Sequence, residues 1–153
     1  MPITQFPDPR EAGTETIVAV GGDLHPDSLK LAYASGIFPW PDPNFVEMIW
    51  ACPPQRGVLE FKDLRVPRTL AKARRNSGYE YTIDQAFEHV MALCSAMPRP
   101  DQDGTWITKP MLKAYARFHK LGHAHSVEVW NDKRELVGGL YGVDSSGAFA
   151  GES

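Results

Sequence analysis

Apolar residues recur with two different periods in the last third of the chain, and each period predicts one kind of element. Thr108 is a strong helix cap, Pro110 suits a first helical turn, and apolar residues at helical spacing follow as far as Gly122. Beyond Gly122 apolar and polar residues alternate, which is typical of half-buried strands. We predict strands over 126–130, over 136–143 and from residue 148 onward, with turns at 131–134 and 144–147. This part is therefore predicted to be a helix followed by an antiparallel meander.

Shorter elements, punctuated by proline and glycine, are predicted for the first two thirds of the chain. Pro26 suits a first helical turn and Gly36 a helix end, so a helix is predicted between them. Pro67 opens a second helix, and Asp84 is predicted to cap a third. The other predicted segments are an extended arm over 1–12, strands over 17–20, 48–51, 57–61 and 79–83, a rigid aromatic loop over 37–40, a turn over 53–56 and a linker loop over 97–104.

Composition describes an ordinary globular protein, with 42% hydrophobic and 23% charged residues among 153. The formal net charge of −3 gives no global basic field, so any contact with nucleic acid has to be local. We expect no membrane segment, since no apolar run approaches the roughly 20 residues that span a bilayer. Cys52 and Cys94 are expected to be reduced thiols, and the start of the chain does not have the pattern of a signal peptide. We therefore expect a cytoplasmic protein.

One dense basic cluster lies on the predicted second helix. Lys72, Arg74 and Arg75 follow Arg65 and Arg68, so five cations fall within eleven positions. A solvated helix face explains such a run as well as a phosphate-contacting surface does. Both interpretations stay open at this point.

Two other residues are candidates for chemistry. Trp106 stands just before a predicted helix N-terminus, where an aromatic face next to backbone donors suits a base stacked beside a phosphate. Glu152 follows Gly151 on an apolar strand, and it is either a surface glutamate or a carboxylate that receives an amine. His123 and His125 are interpreted as hydrogen-bonded structural residues, and no metal site is expected because a third ligand of matching geometry is not evident.

Six motifs in a fixed order give the chain a specific resemblance. They are GGDL at 21–24, GIFPW at 36–40, GTWIT at 104–108, GHAHSVEVW at 122–130, LVGGLYGV at 136–143 and GES at 151–153. Together they closely resemble the leucyl/phenylalanyl-tRNA–protein transferases, from about residue 17 to the last residue.

The resemblance implies an architecture and an activity. The expected fold is α+β, with a small N-terminal α/β domain at 1–64 and an N-acetyltransferase-like catalytic domain, a helix plus antiparallel meander, at 65–153. The implied reaction moves leucine or phenylalanine from charged tRNA onto proteins that begin with arginine or lysine, which marks them for degradation. No cofactor is implied, since the aminoacyl ester is already activated and has only to be positioned.

The resemblance also implies site residues. Trp106 matches the indole that holds the 3′ adenosine, and Leu140 and Phe149 match the apolar pocket for the leucine or phenylalanine side chain. Gly151 and Glu152 match positions that line the site, with Glu152 near the incoming amine. Trp50 is also assigned to substrate binding. Lys72, Arg74 and Arg75 fall where the family has a positive patch for tRNA.

Two departures from the family pattern qualify these expectations. Ala51 stands where the family has a second tryptophan of the adenosine sandwich, and such a loss costs about 1–3 kcal/mol of binding. The family also continues past its GES motif to an Asp-Cys-Gln stretch, so we expect this chain to be truncated and to transfer nothing by itself. Two alternatives stay open: a non-catalytic module that binds tRNA ends or peptides, and an acyl-CoA N-acyltransferase. Oligomeric state is not predicted.

Overall fold

Four helices and two antiparallel sheets make up the part of the chain described by the computed structural model, residues 1–42, 45–98 and 105–153. The helices are α1 (Pro26–Ala34), α2 (Arg68–Asn76), α3 (Phe87–Ala96) and α4 (Lys109–Lys120). The strands are β1 (Ile17–Val20), β2 (Phe38–Pro39), β3 (Ile49–Ala51), β4 (Glu80–Ile83), β5 (Ala124–Trp130), β6 (Leu136–Ser145) and β7 (Ala148–Gly151). The sheets have the orders β1-β3-β2 and β4-β5-β6-β7. A mixed α+β fold is confirmed, and of the predicted linker loop residues 99–104 lie outside the described residues.

The predicted meander is confirmed, with a longer middle strand than expected. Strand β6 runs through Ser145, so the predicted turn at 144–147 contracts to Ser146 and Gly147. Both residues have positive φ, 54° and 82°, as a tight two-residue hairpin turn requires. Strand β4 pairs with the other edge of β5 and completes the four-stranded sheet.

One hydrophobic core joins helices α1, α3 and α4 to one face of the four-stranded sheet. Tyr141 and Val143 of β6 are buried in it with side chains of α1, α3 and α4. A Cβ at Gly139 would lie 3.0 Å from a methyl group of Val90, so glycine there lets α3 approach the sheet closely. Residues of β6 on alternate positions, such as Leu140 and Gly142, therefore face away from the helices.

The N-terminal part differs from the predictions at three places. Residues 38–39 form an edge strand on β3 rather than a loop, which Pro39 allows because an edge position needs no N–H from it. The strand predicted over 57–61 is wrong: these residues are exposed, and Phe61–Asp63 is a 3₁₀ turn. The predicted arm over 1–12 ends in a 3₁₀ turn at Pro9–Ala12, capped by Asp8.

The predicted capping role of Asp84 is also wrong. Helix α3 begins at Phe87, and the Asp84 carboxylate instead accepts hydrogen bonds from the Ser126 N–H at 2.9 Å and pairs with the His125 ring at 2.7 Å. The fully buried Glu128 of β5 places its carboxylate beside the start of α3. There it accepts hydrogen bonds from the N–H groups of Gln85 and Ala86. A carboxylate from a neighbouring strand therefore replaces the local cap.

The outer face of the four-stranded sheet carries apolar side chains on all of its strands. Tyr81, Ile83, Leu140 and Phe149 are each more than two-fifths exposed. No helix in the described part of the chain has the length and apolar character needed to cross a membrane.

Candidate functional site

A cavity of about 320 Å³ lies where the two sheets and the segment before α4 meet. Its lining residues are Phe38, Pro39, Trp40, Arg56, Trp106, Gly151 and Glu152. Three of the residues predicted from the sequence, Trp106, Gly151 and Glu152, are thus brought together, although the first is separated from the others by a helix and three strands. A cavity of this size suits one nucleoside or amino-acid ester.

Glu152 is the acidic group of this cavity and is held from both its side chain and its backbone. Its Oε1 accepts a hydrogen bond of 2.8 Å from the Tyr33 hydroxyl, which lies 2.6 Å from the Tyr115 hydroxyl. Its N–H donates to the Tyr141 carbonyl at 2.9 Å, which continues the pairing of the chain with β6. The carboxylate is therefore fixed by α1, α4 and the sheet together.

Burial raises the pKa of the Glu152 carboxyl, while the Tyr33 hydrogen bond and the positive charge of Arg56 act in the lowering direction. Burial also raises the pKa of Tyr33 and of Tyr115 well above the ordinary value for tyrosine. Both phenols therefore stay protonated and serve as donors. A carboxyl with a raised pKa in a cavity is suited to accepting and returning a proton.

Aromatic rings form much of the remaining cavity wall. Phe38 and Trp40 stack on each other with centroids 5.9 Å apart, and about half of Trp40 is exposed. Trp106 is partly buried against the core, and its neighbour Ile107 is almost fully buried, which anchors the segment before α4. Indole faces beside an open volume suit a flat, apolar ligand such as a base.

Arg56 is a cavity residue that sequence reasoning placed only in a turn. Its guanidinium lies 4.9 Å from the Phe38 ring centroid and donates to the Gly36 carbonyl at 3.1 Å. Both partners come from the GIFPW segment that supplies the aromatic wall. The GIFPW motif was the sequence signal for this part of the cavity, but nothing in the sequence marked Arg56 as its neighbour.

Trp50, which was assigned to substrate binding, is not at the cavity. It lies in the middle of β3 with no exposed surface, donates to the Gly21 carbonyl at 2.8 Å and packs edge-on against Phe6. Its neighbour Ala51 is buried as well.

Leu140 and Phe149 lie near the cavity but outside its lining. Both are on the outer face of the sheet, and the Phe149 ring covers Gly142. Gly151 pairs with Gly142 and has open space where a side chain would stand. Gly151 therefore lines the cavity and, two residues after Phe149 on the same strand, lies on the same sheet face as Phe149.

The basic residues Lys72, Arg74 and Arg75 project from α2, in which no residue is buried. Arg74 places its guanidinium 5.6 Å from the Tyr81 ring centroid, so the end of α2 approaches the outer face of the sheet. These cations do not line the cavity.

The histidines predicted to be structural do make structural contacts. His125 pairs with Asp84, and the His123 ring packs against Phe118 with centroids 5.0 Å apart. Within the described residues there is no cluster of three or more His, Cys, Asp or Glu side chains placed to hold a metal ion. Cys52 and Cys94 are free thiols.

The fold and the cavity define a class of protein: an α+β chain with a candidate ligand site lined by indole rings, one guanidinium and one partly buried carboxylate. Residues 58–153 match the family model described as leucyl/phenylalanyl-tRNA protein transferase, and residues 22–54 match the model of that family's N-terminal domain. The chain belongs to the leucyl/phenylalanyl-tRNA protein transferase family.

Curated relatives with that name are similar over nearly the whole chain. The protein from Maridesulfovibrio salexigens is 49% identical over 148 residues, which are 97% of this chain and 61% of the relative. That from Nitratidesulfovibrio vulgaris is 50% identical over 148 residues, 97% of this chain and 62% of the relative. That from Aeromonas hydrophila is 45% identical over 150 residues, 97% of this chain and 63% of the relative. The chain thus spans a little over three-fifths of the length of these relatives.

Proposed function

We propose that this chain carries the site for the aminoacylated end of tRNA in an enzyme that transfers leucine or phenylalanine to proteins beginning with arginine or lysine. The observation that carries the proposal is the cavity in which Trp106 and Glu152 meet. Family membership supports it, since the relatives are named for tRNA and protein as substrates.

In this proposal the 3′ adenosine stacks on Trp106 and places its aminoacyl ester over Gly151. The α-amine of the acceptor protein attacks the ester carbonyl, an amide bond forms, and the ester C–O bond breaks. The Glu152 carboxylate takes the proton that the amine loses and returns it to the departing 3′ oxygen of the adenosine. Tyr33 holds Glu152 in place through its 2.8 Å hydrogen bond.

The leucine or phenylalanine side chain is proposed to reach Leu140 and Phe149 on the outer face of the sheet. Gly151 supports this path, because it lines the cavity and has open space where a side chain would stand. Lys72, Arg74 and Arg75 on the exposed helix α2 are proposed to contact tRNA phosphates.

Three further expectations remain proposals. They are a domain boundary between residues 64 and 65, an N-acetyltransferase-like fold for the second domain, and a cytoplasmic location, where charged tRNA is made. The antiparallel order β4-β5-β6-β7, with α3 and α4 on one face, supports the fold proposal.

The test is transfer of labelled leucine from leucyl-tRNA to two peptides that differ only in beginning with arginine or alanine. The chain is assayed alone and mixed with a polypeptide that has the sequence of the Maridesulfovibrio relative outside the matched region. We expect label on the arginine peptide in the mixture only. Glu152→Gln should lower the rate of leucine transfer in the mixture by about 100-fold or more, which is typical for loss of a general base.

Two results contradict the proposed reaction. Binding of leucyl-tRNA with no transfer in the mixture supports the non-catalytic module that binds tRNA ends. Equal labelling of both peptides removes the proposed preference for arginine or lysine.

A further inference from the structure

Arg56 is held at the mouth of the aromatic cavity in a defined pose. Its guanidinium lies over the Phe38 ring and donates one hydrogen bond to the Gly36 carbonyl. A guanidinium has five N–H donors, so others can donate to a ligand. The side chain is exposed, and a guanidinium on an aromatic face loses little freedom when it binds an anion.

Among the described residues that line the cavity, Arg56 is the cation and Glu152 the anion. The Glu152 carboxylate accepts a hydrogen bond from Tyr33. Its interaction with Arg56 is one of charge, and no hydrogen bond joins the two side chains in the described structure. The basic residues of α2 do not line this volume. The cavity therefore offers an anionic ligand group one positive contact beside its aromatic walls.

A nucleotide presents its base and its phosphate in the same arrangement. With a base stacked on an indole, the 5′-phosphate lies one sugar away and needs a charged donor at the rim. Guanidinium suits a phosphodiester better than ammonium does, because its planar fork donates two parallel hydrogen bonds.

We propose that Arg56 binds the phosphate that joins the 3′-terminal adenosine to the preceding nucleotide. The inference rests on the proposed function, because it takes the adenosine to lie in this cavity. It assigns to Arg56 a positioning role: the phosphate contact fixes the sugar, and with it the aminoacyl ester, relative to Glu152.

Two probes that differ by one phosphate test this role. Both carry leucine in a stable amide on 3′-amino-3′-deoxyadenosine, and one of them also carries a 5′-monophosphate. The wild-type chain should bind the phosphorylated probe about tenfold or more tightly, as a charge-assisted hydrogen bond predicts. In Arg56→Ala the two dissociation constants should agree within about twofold, and Arg56→Lys should keep part of the difference.

Arg10→Ala is the matched control, since Arg10 is an exposed arginine that pairs with Asp8 outside the cavity. It should keep the full phosphate preference. A role of Arg56 confined to Glu152 or to folding would change the affinity for both probes alike, so the ratio isolates the phosphate contact.

The outcomes separate this inference from the proposed function. Equal binding of the two probes to the wild-type chain, or an unchanged ratio in Arg56→Ala, overturns the role of Arg56 while the adenosine site stands. If neither probe binds the wild-type chain, the proposed site fails as well.

Discussion

Glu152 combines a buried setting with a hydrogen bond from a distant part of the chain. Its partner Tyr33 lies 119 positions earlier, on α1. The carboxylate was a candidate from its place on an apolar strand, but no local signal marks Tyr33 or Tyr115 as its neighbours. Contacts of such long range depend on how α1 packs against the rest of the core, which single-residue patterns do not encode.

The raised pKa of Glu152 predicts a pH dependence of stability. Folding favours the protonated carboxyl, so this group stabilises the fold fully below its ordinary pKa of 4.5, and the stabilisation is lost as pH rises through the higher folded-state pKa. The free energy of unfolding of Glu152→Gln should therefore improve relative to wild type as pH increases from about 4 to about 8. Urea unfolding of the two proteins across this range measures the difference.

A constant difference between Glu152→Gln and wild type at all these pH values would contradict the raised pKa.

The carboxylate of Glu128 joins three elements, and this predicts a large effect on stability. It accepts hydrogen bonds from the hydroxyl groups of Thr82 and Ser126 and from two N–H groups at the start of α3. Glu128→Ala leaves the buried Ser126 hydroxyl and the partly buried Thr82 hydroxyl without this acceptor, and it empties a fully buried site, so we expect a loss of about 3 kcal/mol or more. Chemical denaturation measures it. A loss below about 1 kcal/mol would show that the network does not hold α3 to the sheet.

The β6–β7 pairing gives a matched pair of glycine substitutions. A Cβ at Gly142 would meet the Ala150 carbonyl oxygen and the Phe149 ring, whereas one at its partner Gly151 meets nothing. Gly142→Ala should cost about 1–3 kcal/mol through steric overlap, and Gly151→Ala less than about 0.5 kcal/mol. Thermal unfolding of the two variants checks the contrast, and equal melting temperatures would refute the close approach at Gly142.

At the scale of elements, sequence patterns predicted most helices and strands because their signals are local. Pro26, Thr108 and Gly122 mark helix ends through their own backbone chemistry, and the alternation after Gly122 marks the meander. The strand predicted over 57–61 was wrong because its apolar residues have no partner strand: β3 is paired by β1 and β2 instead. Pairing is a property of the sheet, and propensity alone does not decide it.

At the scale of the whole molecule, the cavity draws on both sheets, while the basic helix α2 stands apart from it. Motif order predicted the family, and the family models confirm it over 22–54 and 58–153. The position of Trp50 in the core was not predictable from its motif, because a tryptophan beside prolines is typical of packing and of stacking alike. Only its burial in β3 separates the two roles.

The proposed contact of α2 with tRNA predicts a change in salt dependence. When Lys72, Arg74 and Arg75 are all replaced with alanine, the plot of log association constant against log salt concentration should become less steep. The magnitude of its negative slope should fall by about 2 to 3. A variant with the same charge change elsewhere, Lys113, Lys120 and Lys133 to alanine, should keep the wild-type slope. Titration of leucyl-tRNA at several salt concentrations measures both slopes. Equal slopes in the two triple variants would place the tRNA contact somewhere other than α2.

The most direct test of the central claim, that the cavity receives the aminoacylated adenosine, is the affinity of the chain for leucyl-tRNA by fluorescence anisotropy. Trp106→Ala should raise the dissociation constant about 5- to 150-fold, as the loss of one base–indole stack predicts, and Trp106→Phe should stay close to wild type. Leucyl-tRNA that binds Trp106→Ala as tightly as it binds the wild-type chain would contradict the claim.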